Sequence, residues 1–266
     1  MIGFNTIGFI GGGNMAEALI KGIMSRGKKT VIVSEPREDR RAFLARTYSV
    51  STTASNAEAA GSAEIIILAV KPQNMAAVLD EISAVVTADK TVVSIAAGIT
   101  LAYLQSRLKT ERIIRVMPNT PALVQEGMSV ISLCSCLPIS VVEPVRDIFT
   151  SIGKALTLPE KYMNAVTAVS GSGPAFVALF TEAMISSGEK MGLSRDNASE
   201  LAIQTVIGTA RLLETGMPPE DLRKMVTSPG GTTAAGVKVF EENGLAVLVA
   251  QSLEAARKRA VELASA

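Results

Sequence analysis

Short apolar runs rich in Ile and Val recur along residues 1–158, and they alternate with segments whose apolar residues return at helical spacing. The runs predict strands over Thr6–Ile10, Thr30–Ser34, Glu64–Val70, Thr91–Ala96, Arg112–Met117, Met128–Leu133 and Ala155–Leu158. The periodic segments predict helices near Met15–Ser25, Arg37–Arg46, Gln73–Val86, Leu101–Leu108 and Ser140–Ile152. The early strands are apolar on both faces, as in a parallel sheet covered by helices on each side. This alternation predicts a doubly wound α/β domain over residues 1–158.

After Pro159 the strand-like runs vanish, and residues 159–266 read as all-helical. Helices are predicted near Tyr162–Met191, Asp196–Glu214, Pro219–Val226, Thr233–Glu242 and Leu245–Ala264, the last with an apolar stripe through Leu245, Val249, Leu253, Ala256, Ala260 and Leu263. Asp196 is the expected N-cap of the second of these, and "ETGMPPED" supplies a glycine stop followed by a proline start. A helical region of this size has little room for a core of its own, and its many Ala, Gly and Ser residues permit close helix contacts. A homodimer sharing that helical core is expected.

Composition narrows the function classes. Net charge is +1 and no large Lys/Arg cluster exists, so nucleic acid is not an expected partner. Mean hydropathy is +0.33, yet runs such as Ile65–Val70 are far too short to span a membrane. The first residues lack the basic start of a secretory signal, and a cytoplasmic protein is expected. The chain has no histidine and only two cysteines, Cys134 and Cys136, which are expected to be free thiols. No metal site is expected. Without histidine, proton transfer must use a hydroxyl, a carboxylate, a lysine, water or the substrate itself.

Several stretches carry candidate chemistry. In "IGFIGGGNMAEAL", Gly11, Gly13 and Ala16 fit G-x-G-x-x-G/A between a predicted strand and a predicted helix. Gly11 permits the tight turn, Gly13 lets the backbone approach a pyrophosphate, and Ala16 keeps helix and strand close. The second strand ends in "SEPREDRR", where Glu35 could accept a ribose 2′-hydroxyl and favour NADH, while Ser34 and Arg37 could hold a 2′-phosphate and favour NADPH. Lys71 and Pro72 after the third strand, with the small residues Ala69, Ala96, Ala97 and Gly98, fall at the carboxyl edge where open α/β sheets bind ligands. Polar, glycine-broken stretches follow: "VMPNTPALVQEG", "VSGSGPAFV" and "VTSPGGTTAAG". Gly171, Gly173 and Pro174 should interrupt a helix and free backbone groups. Ser228, Thr232 and Thr233 could cap a helix or present hydroxyls and amides to a carboxylate.

Taken in order, "GFIGGGNMAEALIKG", "LAVKPQ", "SIAAGIT", "RVMPNTPALVQEG", "AVSGSGPAF" and "SPGGTTAAG" give the chain a likeness from Thr6 to its final helix. It resembles the Δ1-pyrroline-5-carboxylate reductases. The resemblance implies a Rossmann-like doubly wound sheet followed by an all-helical dimerisation domain, with homodimers that associate further in some members. It also implies reduction of 1-pyrroline-5-carboxylate to L-proline, the final step of proline biosynthesis, with NADPH or NADH. By the same resemblance Gly11, Gly12, Gly13, Asn14 and Met15 would bind the pyrophosphate, Ser34 the adenosine end, and Asn56 the cofactor beside the adenosine ribose. Ala69, Val70, Lys71 and Pro72, with Ala96, Ala97 and Gly98, would line the nicotinamide half. Ser228, Gly230, Gly231, Thr232 and Thr233 would hold the substrate, Thr233 bonding the imine nitrogen, and Glu160 would reach the same pocket. Gly12 stands where alanine is usual, and Glu35 and Arg37 occupy a position that varies and sets the cofactor; Arg37 favours NADPH.

Two other readings fit less well. β-Hydroxyacid dehydrogenases share the two-domain plan but place a catalytic lysine four residues before an asparagine, whereas here Lys161 precedes Asn164 by three and Lys190 precedes Asn197 by seven. A nucleotide sensor without turnover has no need of the polar loops in the helical half.

Overall fold

A computed structural model describes residues 6–27, 29–134 and 136–265. Eight strands form one sheet: β1 (Thr6–Ile10), β2 (Thr30–Ser34), β3 (Ser51–Thr53), β4 (Ile65–Leu68), β5 (Thr91–Ser94), β6 (Ile113–Met117), β7 (Gly127–Leu133) and β8 (Gly153–Thr157). They lie in the order β3, β2, β1, β4, β5, β6, β7, β8. The order reverses between β1 and β4, which is the place where doubly wound sheets open a crevice for a ligand.

Helices α1 (Asn14–Ser25), α2 (Glu38–Tyr48), α3 (Asn56–Ser62), α4 (Met75–Ile82), α5 (Leu101–Arg107) and α6 (Ile139–Thr150) cover the sheet. Two buried clusters lie on its two faces, and alternate residues of β1 serve each. Ile7 and Phe9 pack with Leu19, Ile20, Leu44 and Phe149 on one side, and Ile10 packs with Ala59, Leu79 and Leu104 on the other. The expected two-sided burial is therefore present, with the helices divided between the faces.

Three details differ from the sequence expectation. β3 and α3 are absent from the hydrophobic pattern, because "STT" is polar and depends on pairing with β2 at the sheet edge. β7 runs antiparallel to β6, since only a 3-10 turn over Thr120–Val124 joins them and a parallel return would need a longer crossover. Cys134 and Cys136 form a disulfide in the turn after β7 instead of the two expected free thiols; the turn holds their Cα atoms 5.2 Å apart, within bridging range.

The chain divides into two compact units, one holding the described residues up to Ser172 together with those from Ala256 onward, the other spanning Gly173–Ala255. The helix expected over Tyr162–Met191 is interrupted. A 3-10 turn over Glu160–Tyr162 leads into α7 (Met163–Val166), a π turn over Thr167–Gly171 follows, and α8 (Gly173–Lys190) begins at the second glycine. The remaining helices are α9 (Arg195–Glu214), α10 (Pro219–Met225), α11 (Thr232–Glu242) and α12 (Leu245–Ser265). Ser194, not Asp196, caps α9: its hydroxyl accepts the Asn197 N–H at 3.2 Å, and Asp196 lies inside the first turn.

Within the second unit α8 and α9 meet at Gly188 and Ala198, where a Cβ on the glycine would stand 3.1 Å from the alanine Cβ. Burial is sparse there. Phe180, Ile203, Ile207, Phe240 and Leu248 are all exposed, and the rings of Phe180 and Phe240 lie 6.1 Å apart.

Candidate active site

The glycine stretch leaves β1 and turns into α1 across the switch point. Gly11 has φ +100°, a conformation that side chains resist, and a Cβ there would lie 2.8 Å from the Ala69 carbonyl oxygen. Its N–H donates to the Ser34 carbonyl at 2.8 Å, and Ala69 N–H donates to the Ile10 carbonyl at 2.8 Å. Gly11 thus joins the ends of β1, β2 and β4 at one point. Gly13 is the N-cap of α1, carries no capping side chain, and has open space where a Cβ would stand. The first intrahelical bond runs from Glu17 N–H to the Gly13 carbonyl, so the amides of Asn14, Met15 and Ala16 point out of the helix start. Open amides at the positive end of a helix dipole, beside a glycine cradle, fit a pyrophosphate.

Glu17 sits in the same first turn, where it is tied by Arg40 and by the Tyr48 hydroxyl at 2.8 Å. Arg40 Nε also donates to the Gly12 carbonyl at 2.7 Å. Arg40 therefore offsets the Glu17 charge in the first turn of α1 and holds the loop by its Gly12 carbonyl.

At the end of β2 the buried Ser34 hydroxyl donates to Asn56 Oδ1 at 2.5 Å, bringing together two residues that lie far apart in sequence. Asn56 Nδ2 in turn donates to Glu81 at 2.7 Å. Glu35 is buried and turned inward. One of its oxygens accepts the Gly12 N–H at 3.1 Å, and the other accepts Arg37 N–H at 3.2 Å and Arg37 Nε at 3.1 Å. Burial pushes this carboxyl up, but the hydrogen bonds from Arg37 and Gly12 outweigh it and hold the group below its ordinary value. Arg37 keeps 62% of its side chain exposed. Glu35, read from sequence as a possible ribose acceptor, serves the glycine loop and Arg37 instead.

The expected nicotinamide side follows β4 and β5. Val70 Cγ1 lies 3.1 Å from the place of a Gly11 Cβ, so Ala69 and Val70 adjoin the glycine cradle; Lys71 is exposed, and Pro72 opens a 3-10 turn. After β5, Ala96 and Ala97 lead to Gly98 at φ +79°, where a Cβ would stand 2.8 Å from the Leu263 backbone near the end of α12. α5 then starts under Thr100, whose hydroxyl accepts the Tyr103 N–H at 3.1 Å.

Two residues stitch the later motifs to this edge. Asn119 accepts the Met128 N–H at 2.8 Å and donates to the Ser170 carbonyl at 3.1 Å, a carbonyl whose helical donor four residues on would be Pro174, which has no N–H. Glu160 accepts the Leu101 N–H at 2.8 Å and the Arg115 guanidinium at 3.1 Å. Neither Asn119 nor Arg115 was assigned a role by sequence reading. The available signal was a lone arginine inside the apolar run "IIRVM".

Ser228 to Thr233 lie in the second compact unit. Gly230 has φ +72°, Gly231 N–H donates to the Ser228 carbonyl at 3.0 Å, and Gly231 is the N-cap of α11. No side chain caps this helix, contrary to one reading of Ser228, Thr232 and Thr233. Thr232 and Thr233 are exposed on its first turn. This start also fits an anion, here with two hydroxyls beside the amides.

A family model described as pyrroline-5-carboxylate reductase dimerisation matches residues 160–263, and one described as NADP oxidoreductase, coenzyme F420-dependent, matches residues 6–98. The pyrroline-5-carboxylate reductase of Pseudomonas aeruginosa is 43% identical over 97% of this chain and 96% of its own length, and that of Synechocystis is 42% identical over 97% of each. Among solved structures, the Coxiella burnetii reductase superposes with a TM-score of 0.89 at 34% identity over 98% of both chains. The Plasmodium falciparum pyrroline carboxylate reductase with NADP bound gives 0.88 at 33% identity over 98% of this chain and all of its own. With likeness of this extent over both halves, the chain belongs to the pyrroline-5-carboxylate reductase family.

Proposed function

We propose that this protein reduces 1-pyrroline-5-carboxylate to L-proline by hydride transfer from NADPH, with NADH as a second donor, in the final step of proline biosynthesis. The observation that carries the reading is the pair of uncapped helix starts, α1 behind Gly11–Gly13 and α11 behind Gly231, in a chain similar to these reductases along its whole length.

Gly11, Gly12, Gly13, Asn14 and Met15 cradle the pyrophosphate, with the open amides of Asn14 and Met15 facing it and Gly11 and Gly12 shaping the turn, while Ser34, Arg37 and Asn56 receive the adenosine end. Glu35 does not oppose a 2′-phosphate, because both of its oxygens are taken by Gly12 and Arg37. Ala69, Val70, Lys71, Pro72, Ala96, Ala97 and Gly98 line the nicotinamide half. The chemistry the cofactor supplies when bound is hydride donation from nicotinamide C4 to the C=N carbon. Ser228, Gly230, Gly231 and the Thr232 amide hold the substrate carboxylate, and Thr233 hydrogen-bonds the imine nitrogen. A cyclic imine is basic enough to arrive partly protonated, so the nitrogen needs a hydrogen-bond partner more than a strong acid, in keeping with a chain that has no histidine. Catalysis is then mainly positioning.

The exposed apolar residues of the second unit fit burial in a homodimer, which can assemble further, and residues 159–266 act as the substrate and dimerisation domain behind a dinucleotide domain over 1–158. The apolar stretch Glu160–Lys190 is long enough to cross a membrane, and its exposed faces are accounted for by that dimer in a cytoplasmic enzyme.

Mixing the protein with 1-pyrroline-5-carboxylate and NADPH should consume NADPH and yield proline, with kcat/KM higher for NADPH than for NADH. Nucleotide binding without substrate-dependent oxidation would overturn the reading, and a ratio favouring NADH would reverse the role given to Arg37.

A further inference from the structure

The loop from Ala96 to Thr100 meets groups far away in sequence at its middle and at its downstream end. At its downstream end the Leu101 N–H, the first amide of α5, donates to Glu160 Oε1 at 2.8 Å. The same oxygen accepts an Arg115 N–H at 3.1 Å. Arg115 lies on β6 in register with Ser94 of β5, and only 4% of its side chain is exposed. A guanidinium at that depth requires a carboxylate, and the pairing leaves Glu160 little freedom of its own. At its middle Gly98 meets the Leu263 backbone so closely that a Cβ would stand 2.8 Å away. The loop is therefore clasped, and the clasp includes an ion pair that a purely hydrophobic design would not need.

Assuming the reduction proposed above, we propose that Glu160 is a positioning residue for hydride transfer: oriented by the buried Arg115, it sets the β5–α5 loop at the height where Ala96 and Ala97 back the nicotinamide ring. Family likeness also implies that Glu160 reaches the substrate pocket, and the two roles differ in what they predict for kinetics. The carboxylate acts through the Leu101 amide and the loop, with substrate affinity left to other groups.

The test compares Glu160→Ala, Glu160→Gln and the double variant Arg115→Met/Glu160→Gln, which removes both charges together and leaves no buried arginine unpaired. Glu160→Ala should lower kcat about 10- to 100-fold with little change in KM for the imine, because a small displacement of a reacting group is costly. The deuterium isotope effect with NADPH labelled at nicotinamide C4 should rise as hydride transfer becomes limiting. Glu160→Gln, which retains an acceptor for the Leu101 N–H, should recover part of the loss. A second readout needs no turnover: NADPH should bind Glu160→Ala with nearly wild-type Kd, but the fluorescence of its bound nicotinamide should move toward that of the free nucleotide. The double variant should fold and show the same displaced emission, less strongly. A raised KM with kcat and isotope effect unchanged would make Glu160 a substrate contact and overturn the proposal, as would unaltered nicotinamide emission in Glu160→Ala. Absence of turnover in the wild-type protein would instead remove the proposed reaction, leaving the fluorescence comparison to judge the loop.

Discussion

Two helix starts, α1 and α11, are both left uncapped, yet they are built differently. The start of α1 is enclosed: Gly11 touches the ends of two neighbouring strands, Glu35 and Arg40 hold the Gly12 amide and carbonyl, and Glu17 is paired from two sides. The start of α11 is bare, with Thr232 and Thr233 exposed and Ser228 folded back over Gly231. An enclosed cradle suits a large, invariant anion such as a pyrophosphate, whose position must be fixed relative to the sheet. A bare start with hydroxyls suits a small acid that must enter and leave at every turnover.

The contrast can be broken first at α11. Thr233→Ala should lower kcat/KM about 100-fold while NADPH affinity is retained, since a hydrogen bond to the reacting nitrogen counts in the transition state. Steady-state kinetics beside a nucleotide titration decides this, and near-wild-type activity would remove Thr233 from the reaction. At α1, Gly11→Ala should weaken NADPH binding about tenfold or more and lower Tm, because φ +100° and the Ala69 carbonyl at 2.8 Å leave no room for a Cβ. The same change at Gly13, where no protein atom stands near, should leave Tm almost unchanged yet still weaken NADPH binding, because a Cβ there enters the space the pyrophosphate needs; equal losses of Tm at both glycines would refute the enclosed cradle.

The smallest expected effect sharpens the role of Glu35. Its hydrogen bonds hold the folded carboxyl below the ordinary 4.5, so the ionised form stabilises the fold above that value and the contribution disappears as pH falls through the lower folded value. Glu35→Gln should therefore cost about 1 kcal/mol near neutral pH. Melting curves of the two proteins should converge in acid. A gap independent of pH would mean that the carboxylate charge does nothing for the loop.

Glu35 and Glu160 share a design that was hidden from sequence reading. Both look like ligand contacts there, and in the fold each accepts a backbone N–H, Gly12 for Glu35 and Leu101 for Glu160, with an arginine alongside. Their surroundings separate them. Arg37 is largely exposed, so its pairing with Glu35 is screened by solvent, whereas Arg115 is buried and depends on its partner, a partly exposed Glu160.

Hydrophobic period alone determined the strands β1, β2 and β4 to β8 to within a few residues, the change to helices after Pro159, and the glycine turn between β1 and α1, because each depends on local pattern or on backbone freedom at one residue. Family likeness in six short motifs carried the chemistry. Tertiary structure decided what local pattern cannot encode: that "STT" pairs as an edge strand, that β7 returns antiparallel, that Ser194 caps α9 and no side chain caps α11, and that Cys134 meets Cys136. It also decided the partners of Glu35, Asn119 and Glu160. Those partners lie in other elements, and only a folded sheet brings a carboxylate within hydrogen-bond reach of the amide it holds.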